Sequence, residues 1–304
     1  MTISGVEFAL FKSLIKRQNT LDEPVLFILH LNEMIKKLIK NTALLLLVAV
    51  NFSSLIGCTF SRQCISSLRS TDDFIPQRDD NRVLFELGAE EYANRVVSFL
   101  PSAIQTVEEI QYRSFTKPVR VHVCRSIESV TKMYGANVRA GVLTKLFLSP
   151  RVFEDGDEIA KMYLIHELSH LHILDQLGNY KMNELPVWFK EGLATYVSNG
   201  GGAQTVTEKQ AIESIKSGKY LVPDETGGFI FQKYPGDWEL THHMFYRQSM
   251  MFINYLATTN PSGFRKLLLD IEDGEGFAKA LKASYNKELE ELFDEFLHNI
   301  NKTG

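Results

Sequence analysis

The chain has 304 residues, of which 44% are hydrophobic and 23% are charged. These fractions lie in the ordinary range of globular proteins and argue against a disordered chain. The formal net charge is −4 and the pI is about 6.1. Because no basic stripe with interleaved aromatic residues is present, the sequence gives no support for nucleic-acid binding. A chain of this length can form one sizeable domain and a small additional part.

The first distinctive segment is an apolar run that follows a group of lysines. The run extends from Thr42 to Ile56, after Lys36, Lys37 and Lys40, and its end reads Leu55-Ile56-Gly57-Cys58. A basic region, a short apolar region and a small residue before the cleavage point are the parts of a secretory signal. The run is shorter than the roughly 20 residues of a membrane-spanning helix. An uncleaved membrane anchor and a buried core helix are the alternatives.

The end of this run resembles a bacterial lipobox. That resemblance implies cleavage before Cys58 and attachment of lipid to this cysteine, which would tether the protein to a membrane of the bacterial cell envelope. The residue after the lipidated cysteine is Thr59 and not an aspartate. By analogy with such signals, this favours sorting to the outer membrane if the organism is Gram-negative. The remaining cysteines, Cys64 and Cys124, do not form a disulfide framework, although they could pair in an oxidising compartment.

These features divide the chain into four parts. Residues 34–57 are the predicted signal peptide, and residues 1–33 are unassigned or a gene-model extension, because Met34 lies directly before the lysines. Residues 58–81 are a predicted polar linker. Residues 82–304 are the predicted globular domain.

The first half of this domain is predicted to contain helices and a small sheet. Apolar spacing predicts helical structure from Ala89 to Arg113, with Pro101 causing a kink or separating two helices. Alternation predicts a half-buried strand at Val119–Val123. A short helix is predicted at Ser126–Tyr134 and a second strand at Val142–Leu148.

The motif His166-Glu167-Leu168-Ser169-His170 carries the strongest chemical signal. The segment Asp157–Leu177 has recurring apolar residues and no proline or glycine, which predicts one helix. Residues four apart lie on one helix face, so His166 and His170 can direct two nitrogens to one point about 2 Å away, as Zn–N bonds require. Glu167 can reach a water bound there, where a general base acts.

A catalytic zinc takes a third protein ligand and leaves its fourth position to water. Glu191 is the best candidate, because a helix end at Gly178-Asn179 and a helix start at Leu185-Pro186 place it on a second helix. A closed structural zinc site is the alternative, but it would need a fourth ligand, usually a cysteine. The cysteines show no zinc-finger spacing. His172 points to another helix face and is predicted to pack or to support the site.

The H-E-x-x-H motif followed by W-x-x-E-G-x-A resembles the gluzincin metallopeptidases, which include thermolysin and the zinc aminopeptidases. It is most similar to the bacterial peptidase MA-like families, and the resemblance extends from Ala89 to the C-terminus. It implies an α+β, mostly helical domain with a small sheet before the zinc-binding helix. It also implies one Zn²⁺ per chain, held by His166, His170 and Glu191, with Glu167 as the catalytic base.

The resemblance implies two further roles. The strand Val142–Leu148 would be the exposed sheet edge to which an extended peptide adds, although an ordinary sheet strand is the alternative. Tyr246 would donate a hydrogen bond to the oxyanion of the tetrahedral intermediate. His242 and His243 are the other candidates for this donor, and half-buried packing is the alternative interpretation of Tyr246.

The second half of the domain is predicted to be mainly helical. Gly200-Gly201-Gly202 ends the helix that carries Glu191 and predicts a mobile loop. Residues 223–238 read as an irregular loop whose aromatic residues line a cleft or pack in the core. Arg247 is predicted to hold a substrate carboxylate or to pair with a surface acid. The predicted helices are Thr207–Ser217, Met244–Ala257, Pro261–Ile271, Glu275–Tyr285 and Lys287–Ile300, and the last is expected to pack under the active-site helices.

The sequence therefore predicts a membrane-tethered zinc metallopeptidase that hydrolyses peptide bonds of a peptide or protein substrate. No G-x-M-E-N motif precedes the zinc helix, which argues against aminopeptidase action. The alternative function is a non-catalytic envelope lipoprotein that uses a gluzincin-like fold as a binding scaffold.

Overall fold

The structure is a computed structural model that describes residues 68–225, 227–228 and 232–302. The predicted signal peptide, Cys58, Cys64 and the first part of the predicted linker lie outside these residues. The described residues have an α+β fold with nine helices and one five-stranded mixed sheet, as the sequence predicts. Within them, no helix is both long enough and apolar enough to cross a membrane.

All five strands precede the helix that carries the two histidines. The strands are β1 (Phe74–Pro76), β2 (Val83–Glu86), β3 (Val121–Val123), β4 (Ala140–Val142) and β5 (Leu146–Leu148). Their order in the sheet is β1-β2-β3-β5-β4. The three inner strands are parallel, and the edge strands β1 and β4 each pair antiparallel with their neighbours. The prediction of a small sheet before the histidine-bearing helix is confirmed.

Each predicted helix is present, with boundaries that differ by a few residues. The helices are α1 (Glu90–Gln111), α2 (Ile127–Tyr134), α3 (Asp157–Glu184), α4 (Val187–Val197), α5 (Glu208–Lys216), α6 (His242–Thr259), α7 (Pro261–Glu272), α8 (Phe277–Tyr285) and α9 (Leu289–Lys302). Short 3-10 turns occupy Pro150–Phe153 and Pro235–Trp238. Pro101 lies inside α1, so this segment is one helix and not two.

The sheet differs from its prediction at two places. The predicted strand Val142–Leu148 is wrong in extent, because the chain turns at residues 143–145 and forms a hairpin of β4 and β5. β5 is an inner strand, and the edge of the sheet is β4. The turn has neither glycine nor proline, so no local signal marks it. β1 lies within the predicted linker 58–81, with Phe74 buried, so the folded part begins before residue 82.

Different helices cover the two faces of the sheet. Leu146 and Leu148 of β5 belong to the main core, which includes residues of α1 and α3. Phe147 points to the opposite face and packs in a smaller cluster with Val130 and Met133 of α2. Because side chains alternate along a strand, this assignment fixes which face of the β4–β5 hairpin meets α2.

The C-terminal helix α9 packs on α5 and α6. The rings of Phe293 and Phe296 lie 5.1 and 5.4 Å from the ring of Phe252, measured between centroids. The apolar stripe of α9 is therefore buried, but the prediction that it packs under the active-site helices is wrong, because its main partners are α5, α6 and α8 and not the helices that carry His166 and Glu191.

Helices α4 and α6 pack closely at Gly192, the residue after Glu191. A Cβ atom at Gly192 would lie 2.9 Å from the carbonyl carbon, the carbonyl oxygen and the Cβ of Ser249 on α6. Such distances are shorter than normal van der Waals contacts, and the backbone of a buried helix cannot move aside without disturbing its packing. Glycine at position 192 therefore allows α6 to lie directly beside Glu191.

We expect Gly192→Ala to lower the free energy of unfolding by about 1–3 kcal/mol, because the added methyl group overpacks this contact. An alanine in an open helical position would instead stabilise the helix by up to about 1 kcal/mol. Gly236→Ala is the matched control, since a Cβ there has no neighbour within 4 Å. Urea unfolding of both variants measures the difference. Equal stability of Gly192→Ala and wild type would contradict the close packing of α4 on α6.

Candidate metal centre

Two consecutive helices supply the central residues of the site. His166, Glu167 and His170 lie on α3, and Glu191 lies on α4. The regular helix of α3 is interrupted at Gly178, which has a φ of 73°, and one further turn leads to Glu184. Pro186 precedes the first residue of α4. The predicted break at Gly178-Asn179 and the predicted start of the second helix are both present. Together they allow Glu191 to lie next to His166 and His170.

Three potential ligand atoms converge at one point. The Nε2 atoms of His166 and His170 are 3.2 Å apart. The Oε2 atom of Glu191 lies 3.4 Å from each of them. This buried triad could hold a metal ion, as the helix spacing and the third-ligand argument predict.

The distances agree with the dimensions of a tetrahedral metal site. Bonds of about 2.0–2.1 Å in tetrahedral directions place neighbouring ligand atoms about 3.3 Å apart. The three observed separations, 3.2, 3.4 and 3.4 Å, match three edges of such a tetrahedron. The fourth direction is not taken by a cysteine, histidine or acidic side chain of the described residues. Two imidazoles, one carboxylate and one open direction are the donor set of a catalytic zinc site.

A hydrogen bond to the backbone orients His166. Its Nδ1 atom lies 3.0 Å from the carbonyl oxygen of Gly201, so Nδ1–H donates to that oxygen. The lone pair of the neutral ring is then on Nε2, toward Glu191. Metal-binding histidines are commonly fixed by such a bond. The predicted mobile loop Gly200–Gly202 is thus a supporting element of the site.

Arg247 of α6 holds this loop in place. Its guanidinium donates to the carbonyl oxygens of Val206 at 2.8 Å and Ala203 at 3.3 Å. These bonds hold the backbone that follows the glycines, and the charge of the exposed Glu208 also acts on Arg247. Binding of a substrate carboxylate by Arg247 stays a prediction. The link from Arg247 through the loop to Gly201 connects α6 with the orientation of His166.

Glu191 is surrounded by groups that favour its ionised form. Burial works to raise the pKa of Glu191, but the imidazoles of His170 and His166 hold it well below its usual range. The side chain of Glu191 is 20% exposed, and those of His166 and His170 are 5% and 11% exposed. A carboxylate and two imidazole lone pairs this close in a poorly solvated place require a positive charge between them.

Tyr246 lies in the site, as predicted. Its ring is stacked on that of His166, with 5.8 Å between centroids and 22° between planes, and its hydroxyl lies near the carboxylate of Glu191. Burial and the charge of Glu191 raise the pKa of Tyr246 well above its usual value. The phenol is therefore neutral and keeps its proton beside the carboxylate.

The described contacts of the two alternative donors are with residues outside the triad. The ring of His242 is 6.4 Å from that of Tyr246. The Nδ1 atom of His243 accepts a hydrogen bond from the backbone N–H of Thr205 at 3.4 Å. The described contacts of His243 are thus with the loop that precedes α5, and Tyr246 is the candidate nearest the metal ligands.

Glu167 is buried beside the edge strand β4. Burial raises the pKa of Glu167 to about 7, His166 acts against this rise and Glu191 adds to it. The backbone N–H of Val142 lies near its carboxylate and acts to lower the pKa of Glu167. A carboxylate with a pKa near neutrality is suited to accept and return a proton. The predicted base is thus next to the predicted metal ligands and in contact with the sheet edge.

The hydrogen bonds of the hairpin define which backbone groups of β4 face its free edge. Leu143 N–H donates to the carbonyl of Lys145 at 3.2 Å, and Ser149 N–H donates to the carbonyl of Arg139 at 2.8 Å. In this register the backbone N–H and C=O groups of Gly141 bond to β5. The backbone groups of its neighbours Ala140 and Val142 therefore point to the free edge of the sheet. The N–H of Val142 that meets Glu167 is one of these outward groups.

Tyr134, at the end of α2, is a site residue that the sequence analysis missed. Burial raises the pKa of Tyr134, and the charges of Glu167 and Glu191 add to the rise. No motif surrounds it in the sequence. Its position depends on the packing of α2 over β4, which spacing along the chain does not reveal.

The predicted loop at residues 223–238 is described in part. Phe229 and Phe231 lie outside the described residues. Trp238 stacks on Phe245 of α6, with ring centroids 5.5 Å apart, so it packs in the core. Burial and the charge of Glu191 raise the pKa of Tyr234.

His172 is buried on another face of α3, as predicted. Its Nε2 atom lies 2.9 Å from the carbonyl oxygen of Arg113, and its Nδ1 atom lies 3.2 Å from the amide nitrogen of Gln111 and 3.4 Å from a carboxyl oxygen of Glu272. The network joins α1, α3 and α7. Burial raises the pKa of Glu272 to about 8, although Arg113 opposes the rise.

We expect Glu272 to make the stability of the protein pH-dependent. Its pKa is about 8 in the folded protein and near 4.5 when unfolded, so between these values the unfolded chain releases a proton that the folded protein keeps. Stability therefore falls as the pH rises through this window. From pH 6 to pH 8, wild type should lose about 2 kcal/mol relative to Glu272→Gln.

Urea unfolding of both proteins at the two pH values tests this expectation. Glu290→Gln, at an exposed position of α9, is the control and should show the pH dependence of wild type. A constant difference between wild type and Glu272→Gln would mean that Glu272 is ionised in the folded protein throughout the range.

Comparisons with known proteins add no family to these observations. No protein-family model matches the chain, and a search of curated proteins finds no match. The function of the site is therefore argued from its residues alone.

Proposed function

We propose that this protein is a zinc-dependent peptidase that uses Glu167 as its general base. The observation that carries the proposal is the convergence of His166, His170 and Glu191 within 3.4 Å of one another, next to a buried glutamate of raised pKa. A structural metal site needs no adjacent base and is normally closed by a fourth ligand. The combination of three ligands and a base favours hydrolysis.

Zinc is the metal that this donor set suits best. Two imidazole nitrogens and one carboxylate oxygen are the ligands of the thermolysin type of zinc site. Zinc bound there supplies Lewis acidity to oxygen atoms at its open position. The chain supplies the three ligands, the bond from His166 to Gly201 and the hydroxyl of Tyr246 near Glu191.

Glu167 moves the proton in this proposal. Its carboxylate takes a proton from the attacking water and later gives it to the nitrogen of the leaving amine. A pKa of about 7 allows both transfers at neutral pH. The N–H of Val142 faces this carboxylate from the sheet edge.

The free edge of β4 is the proposed position of the substrate backbone. Outward-facing N–H and C=O groups of an edge strand can pair with an extended peptide. Ala140 offers both groups and Val142 offers its carbonyl. A peptide held there would pass Glu167, which meets the same edge. The proposed substrate is therefore an unfolded or extended segment of a peptide or protein.

We also propose that a lipid near the N-terminus tethers the protein. This is supported by the apolar run Thr42–Ile56 and the Leu-Ile-Gly-Cys ending at Cys58, both of which lie outside the described residues. A tether of this kind would place the peptidase at a membrane of the cell envelope. It adds nothing to the chemistry of the metal centre.

Glu167→Gln should retain zinc and lose peptide hydrolysis. The amide keeps the size of the side chain but cannot accept the proton of the water, so we expect kcat to fall by a factor of about 10²–10⁴. Zinc content and cleavage of a mixed peptide library, read by mass spectrometry, are measured on the same preparations.

Glu158→Gln, on an exposed turn of the same helix, is the matched control and should behave as wild type. Cleavage by Glu167→Gln at the wild-type rate would exclude Glu167 as the base. Zinc retention by wild type without any peptide cleavage would favour the scaffold function.

A further inference from the structure

The ring of Tyr134 occupies the place of the side chain that Gly141 lacks. A Cβ atom built on Gly141 would lie 2.5 Å from Cζ and 2.9 Å from Cδ2 of Tyr134, and closer still to Cε2. These distances are much shorter than a normal contact between carbon atoms, which is about 3.5–4.0 Å. The ring therefore lies directly on the backbone of β4, and any side chain at position 141 would displace it.

This contact is on the face of the sheet that α2 covers. The residue opposite Gly141 on β5 is Phe147, which belongs to the smaller apolar cluster, and Tyr134 packs against that cluster. The side chains of Ala140 and Val142 pack against the main core on the other face. Because side chains alternate between the two faces of a strand, β4 carries an aromatic ring on the α2 face and small apolar side chains on the α3 face.

A peptide paired with the free edge of β4 would follow the same alternation. β4 is the last strand of the sheet, and the backbone groups of Ala140 and Val142 point to its free edge. Residues that lie opposite each other on paired strands direct their side chains to the same face. The peptide residue opposite Gly141 would thus direct its side chain to the α2 face. Its two neighbours in the peptide would direct theirs to the α3 face.

The side chain opposite Gly141 would meet the ring of Tyr134. Since the backbone groups of Gly141 bond to β5, its pair with an antiparallel peptide is of the non-hydrogen-bonded kind, in which side chains approach most closely. The ring of Tyr134 is only partly buried, so it has surface left for this contact. An aromatic or large apolar side chain would bury carbon surface there. A charged side chain would lose part of its hydration against the ring.

We propose that Tyr134 is a specificity-determining residue that favours an aromatic or large apolar side chain at the substrate position opposite Gly141. The inference deepens the proposed function and rests on it, because it requires a peptide at the edge of β4. Tyr134 touches a substrate side chain and takes no part in metal binding or in proton transfer. The substrate class is an extended peptide segment with an aromatic or large apolar residue at this one position.

The experiment uses the full chain and a defined library of short peptides. Each position is varied in turn among alanine, glutamate, lysine, leucine and phenylalanine, and mass spectrometry reads both the retention of peptides on the protein and their cleavage. At one position, wild type should favour phenylalanine, and less strongly leucine, over the charged residues by about 3–10-fold. Tyr134→Ala should lose this preference at that position and keep the wild-type preferences at the two neighbouring positions.

Three further variants complete the experiment. Tyr134→Phe should keep the preference, because its ring lies on Gly141 without the hydroxyl. Tyr134→Leu keeps apolar packing under α2 but has no ring, so it should still favour leucine and lose the additional preference for phenylalanine. It tests the proposal even where Tyr134→Ala does not fold. Tyr180→Ala is the control for loss of a tyrosine side chain, since Tyr180 lies on α3 and is 69% exposed; its profile should match wild type.

A wild-type profile in Tyr134→Ala, or in Tyr134→Leu where only that variant folds, would overturn the proposal. A preference weakened equally at all positions would also overturn it, because Tyr134 would then act only through the packing of β4. Cleavage by wild type without an apolar preference at any position would overturn this inference and leave the proposed function standing. Retention with the expected preference but without cleavage would support the inference and overturn only the peptidase reaction. Neither retention nor cleavage would overturn both.

Discussion

The structure depends on holding three electron-pair donors close together in a place with little water. The Nε2 atoms of His166 and His170 and a carboxylate oxygen of Glu191 are separated by only 3.2–3.4 Å. Without a cation between them, these groups would repel or would have to bind protons. Their arrangement could therefore hold a metal ion, and the surrounding elements can be understood by how they keep the three atoms in place.

Several elements outside the motif act on the three ligands. The break at Gly178 and Pro186 return the chain from α3 to α4. The absence of a side chain at Gly192 lets α6 lie against α4, which brings Tyr246 to Glu191. Arg247 of the same helix bonds the loop whose Gly201 carbonyl fixes His166. Helix α6 thus supports one ligand directly and another through the loop.

Structural features that depend on the spacing of nearby residues can be predicted from the sequence. The helix through His166 and His170 and the second helix with Glu191 follow from periodicity and helix-end signals, since these reflect nearby residues. The α+β class was an implication of the family resemblance. The β4–β5 hairpin was missed because its turn has no glycine or proline. Tyr134 and the support given by Gly201 were missed because they depend on contacts between elements distant in the chain. Such contacts leave no pattern along one sequence.

The metal centre is the central claim, and the zinc content and X-ray absorption spectrum of the purified full chain test it most directly, with Glu191→Ala measured beside wild type. The account predicts one zinc per wild-type chain, with only nitrogen and oxygen ligands at about 2.0–2.1 Å. In Glu191→Ala, zinc should be lost or held much more weakly. Wild-type protein without zinc, or zinc bound by sulfur, would contradict the account.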